Sequence, residues 1–146
     1  MNKDNTFADD FNMHIQLFGP DGELKSETFT HNTVTTAGKN GIADQILAAP
    51  SLPKIGWMAI GTGTPSGTLL GAEVARVAFD SKLRSTNVVT VVATFGAGVG
   101  TGTIIEAGTF DVVTANTVNM WMSATFGAQT KGALDSLVIT WTLTIN

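Results

Sequence analysis

The chain has no cysteine among its 146 residues, and only 14% of them are charged. Without thiols it cannot form disulfides, thiolate metal centres or cysteine nucleophiles. Its net charge of −4 gives no basic footprint for nucleic acid. No apolar run reaches membrane-spanning length, and acidic residues stand where a signal peptide would carry its apolar core. We therefore expect a soluble chain with neither a nucleic-acid nor a membrane partner.

What the sequence does contain is hydrophobic residues, at 43%, together with many threonines, serines, asparagines and glycines. A chain of this length fits one domain with a substantial core. Because so few charges remain for the surface, we expect partners to cover much of it.

Strand-like segments dominate the pattern. Met13, Ile15 and Leu17 alternate with other residues, and a Gly-Pro-Asp-Gly turn leads into a second segment, which predicts a hairpin over residues 13–30. Four later segments are rich in Val, Ile, Thr and aromatic residues and lie between loop-forming stretches: 86–95, 103–110, 117–126 and 136–145. Successive strands without helices between them predict an all-β antiparallel sandwich or jelly-roll over residues 12–146, with one or two short helices.

The helical signals are brief. Ile42, Ile46 and Leu47 have helical spacing and are followed by Pro50, which predicts a helix of about three turns. The segment from Leu69 to Val77 fits either a short helix or an extended arm, and its periodicity does not decide between them.

A glycine-rich loop, residues 60–67, follows an apolar strand and resembles a phosphate-binding loop. Its glycines are Gly61, Gly63 and Gly67, with Pro65 between them and no lysine after them. Dinucleotide and nucleotide loops need either Gly-Lys-Ser/Thr or a βαβ unit. Both are missing, so we expect the loop to turn the chain rather than to hold a phosphate, and we expect no cofactor.

Three charged residues sit among apolar neighbours: Glu73, Arg76 and Glu106. A buried charge needs an opposite charge, so we expect Arg76 to pair with Glu73 or Glu106. The two carboxylates could instead form a glycosidase-like acid and base, but the nearby arginine favours structural pairing. His14 and His31 are not expected to face each other across the hairpin, and we predict no metal site and no catalytic residues.

The aromatic residues recur within or at the ends of the predicted strands. Trp121, Trp141 and the phenylalanines near them are more typical of core packing than of a sugar-binding platform. Met120 and Met122 flank Trp121, so that strand carries bulk on both faces, as expected when one face meets another chain. A carbohydrate-binding sandwich with exposed tryptophans remains a third, more distant alternative.

A wider pattern joins several of these features. Ile60-Gly61-Thr62-Gly63, then Leu70, Glu73 and Arg76, then Ile105 to Phe110, then Lys131, Asp135, Ser136, Leu137, Ile139 and Trp141 resemble a family of small tailed-bacteriophage virion structural proteins. The resemblance covers residues 32–146 and departs from the family pattern at Thr109, where an aliphatic residue is usual.

The resemblance implies a non-enzymatic structural role. We expect a capsid decoration (cement) protein bound to the major capsid protein on the virion surface, and assembled in the host bacterial cytoplasm. A tail-fibre or baseplate component is the alternative. A trimer fits the three-fold positions of a capsid lattice. Residues 1–11 lack periodicity and are expected to form a flexible arm whose partner contacts are Asp4, Phe7, Asp9, Asp10 and Phe11.

Overall fold

The computed structural model describes residues 12–145, which form ten strands and one helix. In chain order these are β1 Met13–Phe18, β2 Leu24–Thr30, β3 Thr33–Val34, α1 Thr36–Asp44, β4 Trp57–Gly61, β5 Glu73–Ala78, β6 Ser81–Ser85, β7 Val88–Phe95, β8 Gly102–Phe110, β9 Met120–Lys131 and β10 Ser136–Thr144. The predicted arm and its five contact residues lie outside the described residues.

Two antiparallel five-stranded sheets pack face to face. Sheet A has the order β2-β1-β10-β7-β6, and sheet B has the order β3-β9-β8-β4-β5. Buried and half-buried residues alternate along β1 and β10, as expected for strands with one face on the core. The shared core is apolar, and its largest members include Met13, Ile15, Met58, Ile60, Phe95, Ile104, Leu137, Ile139 and Trp141. The predicted all-β sandwich is confirmed.

Helix α1 packs closely on β9 through a glycine. The hydroxyl of Thr35 caps the helix by accepting the Gly38 N–H at 3.0 Å. A Cβ on Gly41 would lie 2.1 Å from the indole ring of Trp121, so only glycine allows the helix to approach this closely. The glycines that weaken helix propensity in this segment therefore set its packing distance.

The helix is shorter than the spacing predicts. It ends at Asp44, whose carboxylate accepts the Leu52 N–H at 2.9 Å and the Ser51 hydroxyl at 3.1 Å. These bonds close a loop in which Ile46 is 85% exposed and Leu47 is 58% exposed. The prediction that these two residues continue an apolar helix face is wrong, because the side chain of Asp44 turns the chain first.

Three strand predictions also change. The segment that fitted either a helix or an arm is extended, as β5 paired with β4. Strand β6 was not predicted, since only one of its five residues is apolar. Strand β9 continues through residues 127–131, which were expected to form a loop, because the start of β8 pairs with them.

Candidate functional site

A second, smaller apolar cluster lies on the outer face of sheet B, away from the main core. Leu70 and Met120 pack there with Ala59, Phe110 and the half-buried Trp57. Two loops flank this cluster, residues 62–72 between β4 and β5 and residues 111–119 between β8 and β9. Most of the charged residues singled out from the sequence lie here.

Glu106 binds backbone amides, not Arg76. Its side chain is fully buried, and its carboxylate accepts three N–H groups from the glycine-rich loop and its end. The N–H groups of Gly63 and Ala72 donate to Oε1 at 2.9 and 2.8 Å, and that of Gly71 donates to Oε2 at 2.9 Å. The expectation that Glu106 is an alternative partner of Arg76 is therefore corrected: backbone donors compensate its buried charge.

The close approach of Glu106 explains the first glycine of the loop. A Cβ on Gly61 would lie 2.3 Å from Glu106 Oε1 and 2.5 Å from the carbonyl oxygen of Ala72. Glycine at this position lets the carboxylate reach beneath the loop. The loop turns the chain, as expected, but it also forms an anion-binding set of amides that the chain's own side chain fills.

Arg76 pairs with Glu73 on the same outer face. Their side chains are each 2% exposed, and the guanidinium donates to both carboxylate oxygens, from Nη2 at 2.7 Å and from Nε at 3.0 Å. Residues three apart on a regular strand would face opposite sides. Here a bulge at Val74, between the pairs Glu73 with Gly61 and Arg76 with Ala59, brings both to one face.

This ion pair also holds the second loop. Arg76 Nη1 donates to the carbonyl oxygen of Val112 at 3.0 Å, and Glu73 Oε1 accepts the Asn116 N–H at 3.2 Å. The guanidinium carbon lies 3.7 Å from the centre of the Phe110 ring, a cation–π contact. Strand β5, the end of β8 and the loop after it are thus joined by one buried pair.

These contacts bear on the glycosidase-like alternative. Both carboxylates are occupied, Glu73 by a guanidinium and Glu106 by three amides, so the two do not form a free acid beside a free base. Trp121 and Trp141 are 7% and 0% exposed. In the structure, Glu73, Arg76 and Glu106 hold loops, and the two tryptophans fill the core.

A buried lysine fastens the far end of the sandwich. Lys131 is 1% exposed, and its ammonium donates to the carbonyl oxygen of Gly96 at 2.8 Å. Burial lowers the pKa of Lys131, and the negative charge of Asp135 opposes that change. Asp135 itself accepts Lys25 Nζ and the Gly132 N–H, each at 2.8 Å, and the bond from Lys25 lowers the pKa of Asp135 most.

The two histidines are not brought together in a metal site. His14 lies opposite Phe29 in the hairpin register and stacks on it, with ring centres 4.2 Å apart, while its Nε2 lies 2.7 Å from Glu27 Oε2. Across residues 12–145, no group of three or more His, Asp or Glu side chains is arranged to hold a metal ion. In the same range, no helix has the length and apolar character needed to cross a membrane.

On the outer face of sheet A, strands β7 and β10 carry no charged side chain of their own, and Asp80, which precedes β6, accepts the Thr94 hydroxyl at 2.6 Å. On β7 and β10, the residues that alternate with buried core residues are threonine, valine or serine: Thr90, Val92, Thr94, Ser136, Val138, Thr140, Thr142 and Thr144. Exposed apolar side chains lie beside this face, including Phe29 on β2, at 52%, and Leu83 on β6, at 67%. Such a face is typical of a surface that a partner covers.

Comparison with known proteins identifies no relative. No protein-family model, no curated protein and no solved structure matches this chain.

Proposed function

We propose that this chain is a structural protein of a tailed-bacteriophage virion, and specifically a capsid decoration protein that binds the lattice of the major capsid protein. The observation that carries the proposal is the outer face of β7 and β10 in sheet A. Threonine, valine and serine side chains form it, and neither strand contributes a carboxylate or an amine to it. A face without charged side chains gains stability from contact area with another protein.

The anchors of sheet B support the same role. Glu73, Arg76 and Glu106 hold the loops on the outer face of sheet B to the strands, and this anchoring favours a rigid sandwich. A non-enzymatic cement protein needs such rigidity, because it reinforces a lattice only if it resists deformation itself. The arm residues Asp4, Phe7, Asp9, Asp10 and Phe11 remain proposed contacts with the capsid, and we propose a trimer of copies at three-fold positions.

The first experiment measures the copy number of this protein in purified virions, relative to the major capsid protein, by quantitative mass spectrometry. A ratio near one, or near a simple fraction of one, is expected for head decoration. A far lower ratio would assign the chain to the tail, as a fibre or baseplate component. Its absence from virions would overturn the virion role altogether.

A paired substitution tests the surface. Val92 and Thr140 are opposite each other on the outer face of sheet A, so Val92→Glu with Thr140→Lys adds two charges that can pair without disturbing the ladder. Thr103 and Thr130 are opposite each other on sheet B and both exposed, so Thr103→Glu with Thr130→Lys is the matched control.

We expect the sheet A variant to keep its fold and to lose attachment to capsids that lack the decoration protein, while the sheet B variant attaches like the wild type. Co-sedimentation measures attachment, and circular dichroism verifies the fold. Equal attachment of the two variants would contradict the assignment of sheet A as the contact face. The molecular mass of the protein released from capsids, measured by light scattering, tests the proposed trimer. The mass of a monomer would contradict it.

A further inference from the structure

An apolar groove of about 460 Å³ opens between the two sheets, beside helix α1. Most of the residues that line it are apolar. Trp121 and Leu143 belong to the buried core, and Val34, Ile42 and Ile55 are half-buried and pack against that core. The groove is therefore an exposed continuation of the core, and its volume lies in the usual range of small-molecule sites, about 300–1,000 Å³.

The rim of the groove is cationic. Lys54, Lys82 and Arg84 line it, and all three are exposed. In the register of β6 and β7, Lys82 lies opposite Val91 and Arg84 lies opposite Val89. Opposite residues share a face of a sheet, and both valines pack in or against the core, so these two cations are on the inner side of β6. Inner positions of a sandwich are usually apolar, which makes this placement unusual.

The three cations lack a negative partner. Lys82 Nζ donates to the carbonyl oxygen of Ile55 at 2.7 Å, and Arg84 Nη1 donates to that of Thr86 at 2.7 Å. An ammonium has three N–H donors and a guanidinium has five, so several remain for a ligand. Within residues 12–145, none of the three cations forms an ion pair with a carboxylate. An anion at the rim would supply the missing charge.

Protection of a sheet edge explains only part of this arrangement. Inward-pointing charges on an edge strand discourage pairing with another sheet, and β6 is an edge of sheet A. That explanation covers Lys82 and Arg84. It does not cover Lys54, which precedes β4 and reaches the same rim from a different segment. The convergence of cations from two segments on one apolar groove favours recognition of an anion.

We propose that this groove binds a free medium-chain fatty carboxylate. Its alkyl chain lies against the apolar walls, and its carboxylate accepts hydrogen bonds from the cationic rim. An alkyl chain suits the walls better than a peptide does, because the strands that form them are already paired and offer no partners to a buried peptide backbone. The inference goes beyond the proposed function and does not rest on it.

Calorimetric titration of the full chain with decanoate and octanoate, at neutral pH and below their micellar concentrations, tests the ligand class. Each buried CH₂ group favours binding about fourfold, so decanoate should bind about fifteenfold more tightly than octanoate, which is two CH₂ groups shorter. Absence of saturable decanoate binding, or equal affinity for the two, would overturn the proposal.

Neutral variants test the rim. Lys54→Gln should weaken decanoate binding about two- to fivefold, and Lys82→Gln with Arg84→Gln about tenfold, while binding of uncharged octanol should stay the same. Lys39→Gln is the matched single control, since Lys39 is exposed on α1 but does not line the groove. Unchanged decanoate binding in the rim variants would overturn the proposal.

Charge reversal separates the loss of charge from local damage. Lys82→Glu with Arg84→Glu should bind decylammonium roughly tenfold more tightly than the wild type does, because the rim then complements a cationic head group. A variant that loses decanoate without gaining decylammonium would overturn the proposal.

Methyl NMR spectra locate the ligand. On addition of decanoate, the methyl signals of Ile42 and Leu143 should shift, whereas that of Leu70, in the apolar cluster on the outer face of sheet B, should not. Shifts confined to Leu83, on the outer side of β6, would overturn the proposal. Binding to phosphatidylglycerol vesicles without binding to decanoate would show a membrane surface as the partner instead.

Discussion

Replacing Glu106 with glutamine should destabilise the protein by about 2–4 kcal/mol, although the two side chains have nearly the same shape. The carboxylate accepts three amide N–H groups at 2.8–2.9 Å in a fully buried position. The amide of glutamine turns one acceptor into a donor, which leaves one loop N–H without a partner at a cost of about 1–3 kcal/mol. The remaining bonds lose their ionic character and become roughly half as strong.

The assay is urea unfolding followed by tryptophan fluorescence, with amide exchange at Gly63, Gly71 and Ala72 as a local readout. Those three amides should exchange faster in the Glu106→Gln variant than the global loss of stability explains. Glu27→Gln is the control, because Glu27 is exposed, and its effect should stay within about 0.5 kcal/mol. A loss for Glu106→Gln no larger than this, with the loop amides still protected, would refute the reasoning.

Three further outcomes can be measured in the same assay. Thr109→Val should stabilise the protein by about 1–2 kcal/mol, because the Thr109 hydroxyl is buried and has no partner within residues 12–145; no gain would mean that the hydroxyl is satisfied. Arg76→Ala should cost about 3–5 kcal/mol by leaving a buried carboxylate, and adding Glu73→Ala should recover part of that loss; additive losses would contradict buried pairing. Burial lowers the pKa of Lys131 in the folded protein, so between that lowered pKa and 10.5 the unfolded chain binds more protons than the folded chain. The free energy of unfolding of the wild type should therefore rise with pH over that range relative to Lys131→Met. Parallel curves, as expected for Lys39→Met, would contradict this reasoning.

Much of the fold could be predicted from the sequence, because alternation of apolar residues is a local signal. Strands β1 and β10 carry it, and β8 was predicted from its Ile, Thr and Phe content. The predicted positions of all three agree with the structure to within about two residues. Strand β6 has the sequence Ser-Lys-Leu-Arg-Ser and carries no such signal, since it owes its form to pairing with β7.

The site was harder to predict than the fold. Glu73 and Arg76 are close in sequence, so their pairing was within reach of a local argument. The partners of Glu106 are backbone amides that lie 34 to 43 residues away along the chain. A backbone N–H has no sequence signature of its own. A glycine indicates that another group approaches the backbone closely, but it does not identify that group. Only the register of β8 against β4 brings Glu106 close to the amides of the loop that follows β4.

The backbone amides of Gly63, Gly71 and Ala72 bind an anion that belongs to the same molecule, the carboxylate of Glu106. A tethered carboxylate competes at an effective concentration in the millimolar range or above, and it has already lost the freedom that a free anion would give up on binding. Phosphate or sulfate from solution would have to displace the Glu106 carboxylate from these amides in order to bind there. The loop that most resembles a nucleotide site is therefore already occupied by a carboxylate of the protein itself.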